Sequence, residues 1–220
     1  MQWIEQFDLF LFDFDGLLVD TESLHYQAYI AALAQRGYTL DWTFPHFCSL
    51  AHLHATALQE ALYTQWPDLD PDWNSLYADK KKAYLDLLLH GHVQLMPGVA
   101  SLLSALAAKN IRRCVVTHSP QPQIDHIRSR LLPLQTIPHW ITRHDYHHPK
   151  PHPECYLKAI ELHSRPHDRI VGFEDSIRGW QALQQTPAQS WLICSSKHPL
   201  LPQALAQGAR HVESFESFSP

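Results

Sequence analysis

A doubly wound, parallel α/β sheet with a helical domain inserted after its first strand is the fold this sequence predicts. Three observations carry that expectation. Short apolar runs alternate with helical patterns from Met96 onward. Between Asp20 and Met96 no stretch reads as a strand. The first apolar run, Leu9 to Phe12, ends in two acids and a glycine, at the carboxyl end of a strand where such sheets hold ligands.

Leu9 to Phe12 is apolar at every position, as a strand buried on both faces requires. Glu22 to Gln35 repeats Ala and Leu at helical spacing, and Gly37 stops it. Leu53, Ala57, Ala61 and Leu62 suit helices, as do Leu76, Tyr84, Leu87 and Leu88. Trp66-Pro67 and Asp70-Pro71 break them. Pro97-Gly98 opens a helix to Lys109, and Arg112 to Thr117 reads as a strand. A helix over Gln121–Leu132, a strand over His139–Thr142 and a helix over Pro153–Leu162 follow. Arg169–Phe173 is a strand, Ser176–Gln184 a helix, and Ser190–Cys194 a strand. A short helix over Pro202–Gln207 and an edge strand at His211-Val212 close the pattern. The expected division is a core over 1–19 and 97–220 and a helical domain over 20–96.

Net charge is −5 over 220 residues, with 17 histidines uncounted, so no basic face for nucleic acid is expected. The four cysteines, Cys48, Cys114, Cys155 and Cys194, are far apart and read as reduced thiols. The start, MQWIEQFD, lacks a secretory signal pattern, and no apolar run is long enough to span a bilayer. A cytoplasmic protein without membrane partners, monomeric or dimeric, is expected.

Asp13 and Asp15 stand two residues apart and share one face of an extended chain. Such acids repel unless a cation sits between them. An Asp-Gly turn explains Asp15 but leaves Asp13, between Phe12 and Phe14, without a reason. Thr117-His118-Ser119 ends the second core strand, where hydroxyls and amides can hold phosphoryl oxygens or simply cap the next helix. Lys150 lies in HHPKPHPECY, whose prolines restrict the backbone around it. Glu174-Asp175-Ser176 ends another apolar strand in acids, with Gly179 in the helix that follows. Acids also suit a helix start, but that does not explain why two separate strands each deliver a carboxylate pair. Carboxylates converging at one sheet edge call for a hard cation with oxygen ligands, and Mg²⁺ fits best.

Asp-Phe-Asp-Gly-Leu-Leu-Val-Asp-Thr-Glu at 13–22 resembles the first motif of the haloacid dehalogenase superfamily, in its β-phosphoglucomutase and phosphoglycolate phosphatase-like branch. Thr117, Lys-Pro-x-Pro-x-x-Tyr from Lys150, and Glu-Asp-Ser-x-x-Gly from Glu174 resemble its other three motifs, in the family's order. The resemblance implies a Rossmann-like core with a helical cap. It implies Asp13 as nucleophile forming an aspartyl-phosphate, and Asp15 as general acid and base. Mg²⁺ would be held by Asp13, the Asp15 carbonyl, Asp175 and Glu174. Thr117 and Lys150 would stabilise the transferring phosphoryl group, with His118 and Ser119 lining the pocket. Thr21 and His25 match a Thr and a His of the branch, while read structurally His25 is a helix-surface residue.

The sequence departs from the family in places. Pro149 replaces a usual Gly before Lys150, and the loop over 47–56 carries Ala51, His52 and His54 where relatives read substrate. ALQQTPAQ, at 182–189, also differs from the usual Ala-rich continuation and leaves that helix end open. His52 and Lys80 are candidate substrate contacts, although Lys80–Lys82 also reads as a solvated helix face. His144, His147, His148 and His152 cluster around Lys150 without a firm helix to fix them. The expected activity is a Mg²⁺-dependent phosphatase for a small phosphorylated metabolite, such as a sugar phosphate or phosphoglycolate. The alternatives are a β-phosphoglucomutase-like phosphotransferase on the same core and a catalytically inactive binding protein. A dehalogenase is disfavoured because that branch needs no Mg²⁺ and usually lacks the second Asp.

Overall fold

The computed structural model describes residues 2–53, 56–91 and 93–218. In chain order the elements are β1 (Leu9–Phe12), α1 (Glu22–Ala34), α2 (Phe44–Ala51), α3 (Ala57–Gln65), α4 (Trp73–His90) and α5 (Val99–Ala108). Then come β2 (Arg112–Val116), α6 (Gln121–Arg130), β3 (His139–Ile141), α7 (Glu154–His163) and β4 (Ile170–Glu174). The chain ends through α8 (Ile177–Leu183), β5 (Gln189–Ile193), α9 (Leu201–Ala206) and β6 (Arg210–Val212). Short 3₁₀ turns at Trp3–Gln6 and Leu132–Thr136 carry no signal in the sequence pattern.

The six strands form one parallel sheet in the order β3-β2-β1-β4-β5-β6. β1 is central, and each of its four residues is buried. Leu9 and Leu11 pack with Cys155, Tyr156 and Ala159 of α7 and with Leu183 of α8. Phe10 and Phe12 point the other way and stack with Phe173 at ring separations of 6.2 and 5.5 Å. The alternation of a pleated strand thus feeds two cores at once. The strand order reverses beside β1, so the carboxyl ends of β1, β2 and β4 border the crevice where this architecture places ligands.

The chain forms two compact units, Met1–Asp20 with Gln94–Pro220, and Thr21–Val93. The sheet unit is left and re-entered side by side: the Asp20 amide donates to the Gln94 carbonyl at 3.0 Å, and the Met96 amide to the Leu18 carbonyl at 3.0 Å. Among its described residues, the regular elements of the second unit are the helices α1 to α4. Its core joins Tyr29, Leu33, Phe47, Leu58, Leu62 and Leu76. Arg36, just past α1, bonds Ser75 at 2.7 Å and Asp79 at 2.6 Å, which ties that end to α4.

Two expectations need correction here. The stretch read as a loop from Phe47 begins as helix α2, because the Thr43 hydroxyl caps the His46 amide and Pro45 sits in the first turn. Leu53 lies in a turn and is exposed rather than in a helix core. His54 falls outside the described residues. Among the described residues no helix is long and apolar enough to cross a membrane.

Candidate active site

Asp13 is the first residue past β1, and its amide donates to the Phe173 carbonyl at 3.0 Å. That ladder bond carries the pairing of β1 with β4 up to the acid itself. Gly16 turns the chain with a φ of 81°, a backbone that an L side chain resists. Glu174 ends β4, and Asp175 follows it. One carboxylate oxygen from each of Asp13, Glu174 and Asp175 lies within 4.8 Å of the others.

Lys150 arrives from the loop before α7. Its ammonium donates to Asp13 Oδ1 at 2.5 Å and to the Val116 carbonyl at 3.0 Å, and pairs with Glu174 Oε1 at 2.7 Å. Its three N–H donors therefore meet three oxygens. Burial alone would lower the Lys150 pKa, but the Asp13 and Glu174 charges outweigh it and hold it well above the usual lysine value. Glu174 is fully buried. Burial pushes its carboxyl up to about 7, against the pull of Lys150. Tyr156 of α7 donates its hydroxyl to the same Glu174 oxygen.

Asp15 faces a different set of partners. Its carboxylate accepts from Ser119 Oγ at 2.5 Å, Thr117 Oγ1 at 3.3 Å and Gln123 Nε2 at 3.2 Å. The Ser119 amide also donates to Thr117 Oγ1 at 3.0 Å. Thr117 and Ser119, expected as phosphoryl contacts, here hold the second aspartate. His118 is exposed and shares a 2.8 Å hydrogen bond between its Nδ1 and the Tyr146 hydroxyl, which itself donates to the Thr117 carbonyl at 3.2 Å. Burial, then Arg143, Lys150 and Arg178, lowers the His118 pKa.

Gln123 and Tyr156, like Tyr146, are contacts that the sequence reading left without a role. Gln123 sits on α6, four residues past Ser119, and one helical turn brings it over Asp15. Tyr156 stood in the quoted motif, but nothing in its spacing showed that it reaches the Glu174 carboxylate.

The helical unit holds a polar cluster of its own. Lys80 Nζ lies 2.8 Å from His25 Nδ1, and His25 stacks on Tyr84 at 4.2 Å. Lys80 is buried among the rings of Tyr29, Tyr77 and Tyr84. The solvated-face reading therefore holds for Lys81 and Lys82 and fails for Lys80. His52 Nε2 is 3.4 Å from Glu22 Oε1. Thr21 is fully buried, and its hydroxyl has no hydrogen-bond partner among the described residues. Burial, then the Lys80 charge, lowers the His25 pKa to about 4. Burial likewise brings Lys80 down to about 8.

Residues 10–193 match the family model described as haloacid dehalogenase-like hydrolase. The chain belongs to this family. Protein CbbY of Rhodobacter capsulatus is 29% identical over 177 residues, which is 77% of each chain. The phosphorylated carbohydrates phosphatase of Thermotoga maritima is 28% identical over 174 residues, 78% of each chain. The crystal structure of a CbbY mutant from Rhodobacter sphaeroides with xylulose-(1,5)bisphosphate matches with a TM-score of 0.73, at 22% identity over 96% of each chain. A haloacid dehalogenase family hydrolase from Deinococcus radiodurans, with bound phosphate and sodium, matches with a TM-score of 0.76 at 24% identity, over 94% of this chain and 91% of that one. The parallel sheet with its helical insertion is thus a haloacid dehalogenase-like fold.

Proposed function

We propose that the protein is a Mg²⁺-dependent phosphatase that hydrolyses a small phosphorylated sugar through an aspartyl-phosphate. The observation that carries this reading is the convergence of Asp13, Glu174 and Asp175 from two strand ends, with Lys150 against Asp13. An all-carboxylate donor set suits a hard divalent cation. Asp13, Asp175 and Glu174 would hold Mg²⁺, which when bound offsets the repulsion between a carboxylate nucleophile and an anionic ester.

The chain's own groups divide the work. Asp13 Oδ attacks phosphorus, an O–P bond forms, and the ester bond breaks. The leaving alkoxide takes its proton from Asp15. Asp15, now ionised, removes a proton from the incoming water, which attacks phosphorus and frees the Asp13 carboxylate and inorganic phosphate. Hydrogen bonds from Ser119, Thr117 and Gln123 hold Asp15 for both transfers. Lys150 neutralises charge beside Asp13 throughout. The sugar class follows from similarity to a relative named for phosphorylated carbohydrates.

Phosphate release from a panel of sugar phosphates, with Mg²⁺ and with chelator, tests the reading. Activity should vanish with chelator, and Asp13→Asn should lower kcat by at least about 10³-fold. Undiminished turnover in Asp13→Asn would falsify the scheme. Isomerisation of a sugar phosphate without phosphate release would identify a phosphotransferase instead.

A further inference from the structure

The Lys150 side chain is 10% exposed and pairs with Asp13 and Glu174, yet the residues two positions to either side of it, His148 and His152, are exposed. The prolines at 149, 151 and 153 alternate with them and restrict the backbone. This loop brings His148, His152 and Glu154 together, with one donor atom from each lying within 4.8 Å of the others. The two imidazole rings are 4.7 Å apart. His148 Nδ1 is 2.6 Å from Glu154 Oε2. The same carboxylate accepts the backbone amides of His147 and His148 at 2.9 and 2.8 Å, so the loop is already folded around it. His152 Nδ1 accepts from the Glu154 amide at 3.2 Å. Both histidines border a cavity of about 680 Å³ whose lining includes Gln181, Gln184 and Gln185.

We propose that His148, His152 and Glu154 form a second metal site, for a zinc-class transition ion, on the loop that carries Lys150. Two imidazoles and one carboxylate are borderline donors that suit Zn²⁺ and discriminate against Mg²⁺, unlike the all-oxygen set at Asp13, Glu174 and Asp175. Donors around a tetrahedral zinc stand roughly 3.3 Å apart. The His148–Glu154 pair has to open slightly from its present separation, and the widest pair has to close by at most about 1.5 Å. Rotations of exposed side chains cover both changes. The ion takes the place of the proton held between His148 Nδ1 and Glu154 Oε2, and the imidazole binds as the neutral ring with its proton on Nε2. Water completes the coordination on the cavity side. Ordering cost is low because both histidines and the glutamate come from one short, proline-restricted segment.

The test is calorimetric titration of the full, tag-free chain with Zn²⁺, in excess Mg²⁺ so that the carboxylate set is occupied. One equivalent should bind, and His148→Ala and His152→Ala should each weaken it by at least about tenfold. Binding should persist in Asp175→Asn, which separates this site from the carboxylate set. An X-ray absorption edge scan of the loaded protein should show nitrogen ligation from two imidazoles. Zn²⁺ affinity unchanged in the His148→Ala/His152→Ala double variant, or weaker than about 1 mM in the native chain, overturns the proposal. None of these readouts depends on turnover, so they stand apart from the fate of the phosphatase reading.

Discussion

Asp13 and Asp15 lie two residues apart, yet their environments differ, as the two roles in the proposed scheme require. Asp13 meets the Lys150 ammonium and two further carboxylates. Asp15 meets two hydroxyls and an amide. A group that donates and recovers a proton needs partners that orient it, and these three donors fix both oxygens of the Asp15 carboxyl group. In the proposed scheme Gln123 is a positioning residue. Gln123→Ala should lower kcat about tenfold with KM little changed, since one hydrogen bond to a charged group is lost at the proton-transfer step. A rise in KM at constant kcat would place Gln123 on the substrate instead. The sequence exposed both aspartates through their spacing, whereas Gln123 looks like any helix-surface amide until α6 is docked.

α8 shows how an element's glycine can serve a charge. A Cβ built on Gly179 would stand 2.0 Å from Glu174 Oε2, so only Gly lets the helix pass the buried carboxylate. Gly179→Ala should destabilise the sheet unit by ~1–3 kcal/mol, read as a lower midpoint in urea unfolding. An unchanged midpoint would mean that Glu174 has room to move. α1 and α4 hold the other coupled pair. His25 is a base whose folded pKa is depressed, so the folded unit binds fewer protons than the unfolded chain between about 4 and 6.5. Its contribution to stability is therefore lost as pH falls through that window. An NMR titration should find one histidine with a midpoint near 4, and Lys80→Met should move that midpoint upward, though not to 6.5, because burial is the larger cause. A His25 midpoint at the unperturbed value in the native chain would contradict the packing of this pair.

At the scale of the molecule, each unit builds its own core. The helical unit's buried cluster draws on residues between Tyr26 and Leu76. Two of the sheet unit's clusters draw on Leu9, Leu11 and residues from Cys114 onward. The sheet unit is also left and re-entered at hydrogen-bonded neighbours, Asp20 and Gln94. Joining Asp20 to Gln94 through a short Gly-Ser link should therefore leave a chain that unfolds cooperatively, since a short loop there costs little closure entropy. Circular dichroism melts measure it, and a broad, non-cooperative transition would show that the sheet depends on the insert.

The sequence by itself determined the alternation of strands and helices, the helical insertion, and the acids and lysine at the strand ends. These are local signals: an apolar run fixes a strand, and an acid just past it has no cheap structural reason to be there. The tertiary structure alone decided the partners. Lys80 reads as one of three solvated lysines until α4 turns it onto three tyrosine rings. Phe47 begins a loop in the sequence pattern but packs inside α2, because an N-cap hydroxyl and a nearby hydrophobic cluster outweigh a weak local pattern. Tyr156 and Glu174 lie 18 residues apart, and only the docking of α7 against the sheet brings their side chains into contact. Burial and charge pairing depend on segments distant in the chain, so no local pattern encodes them.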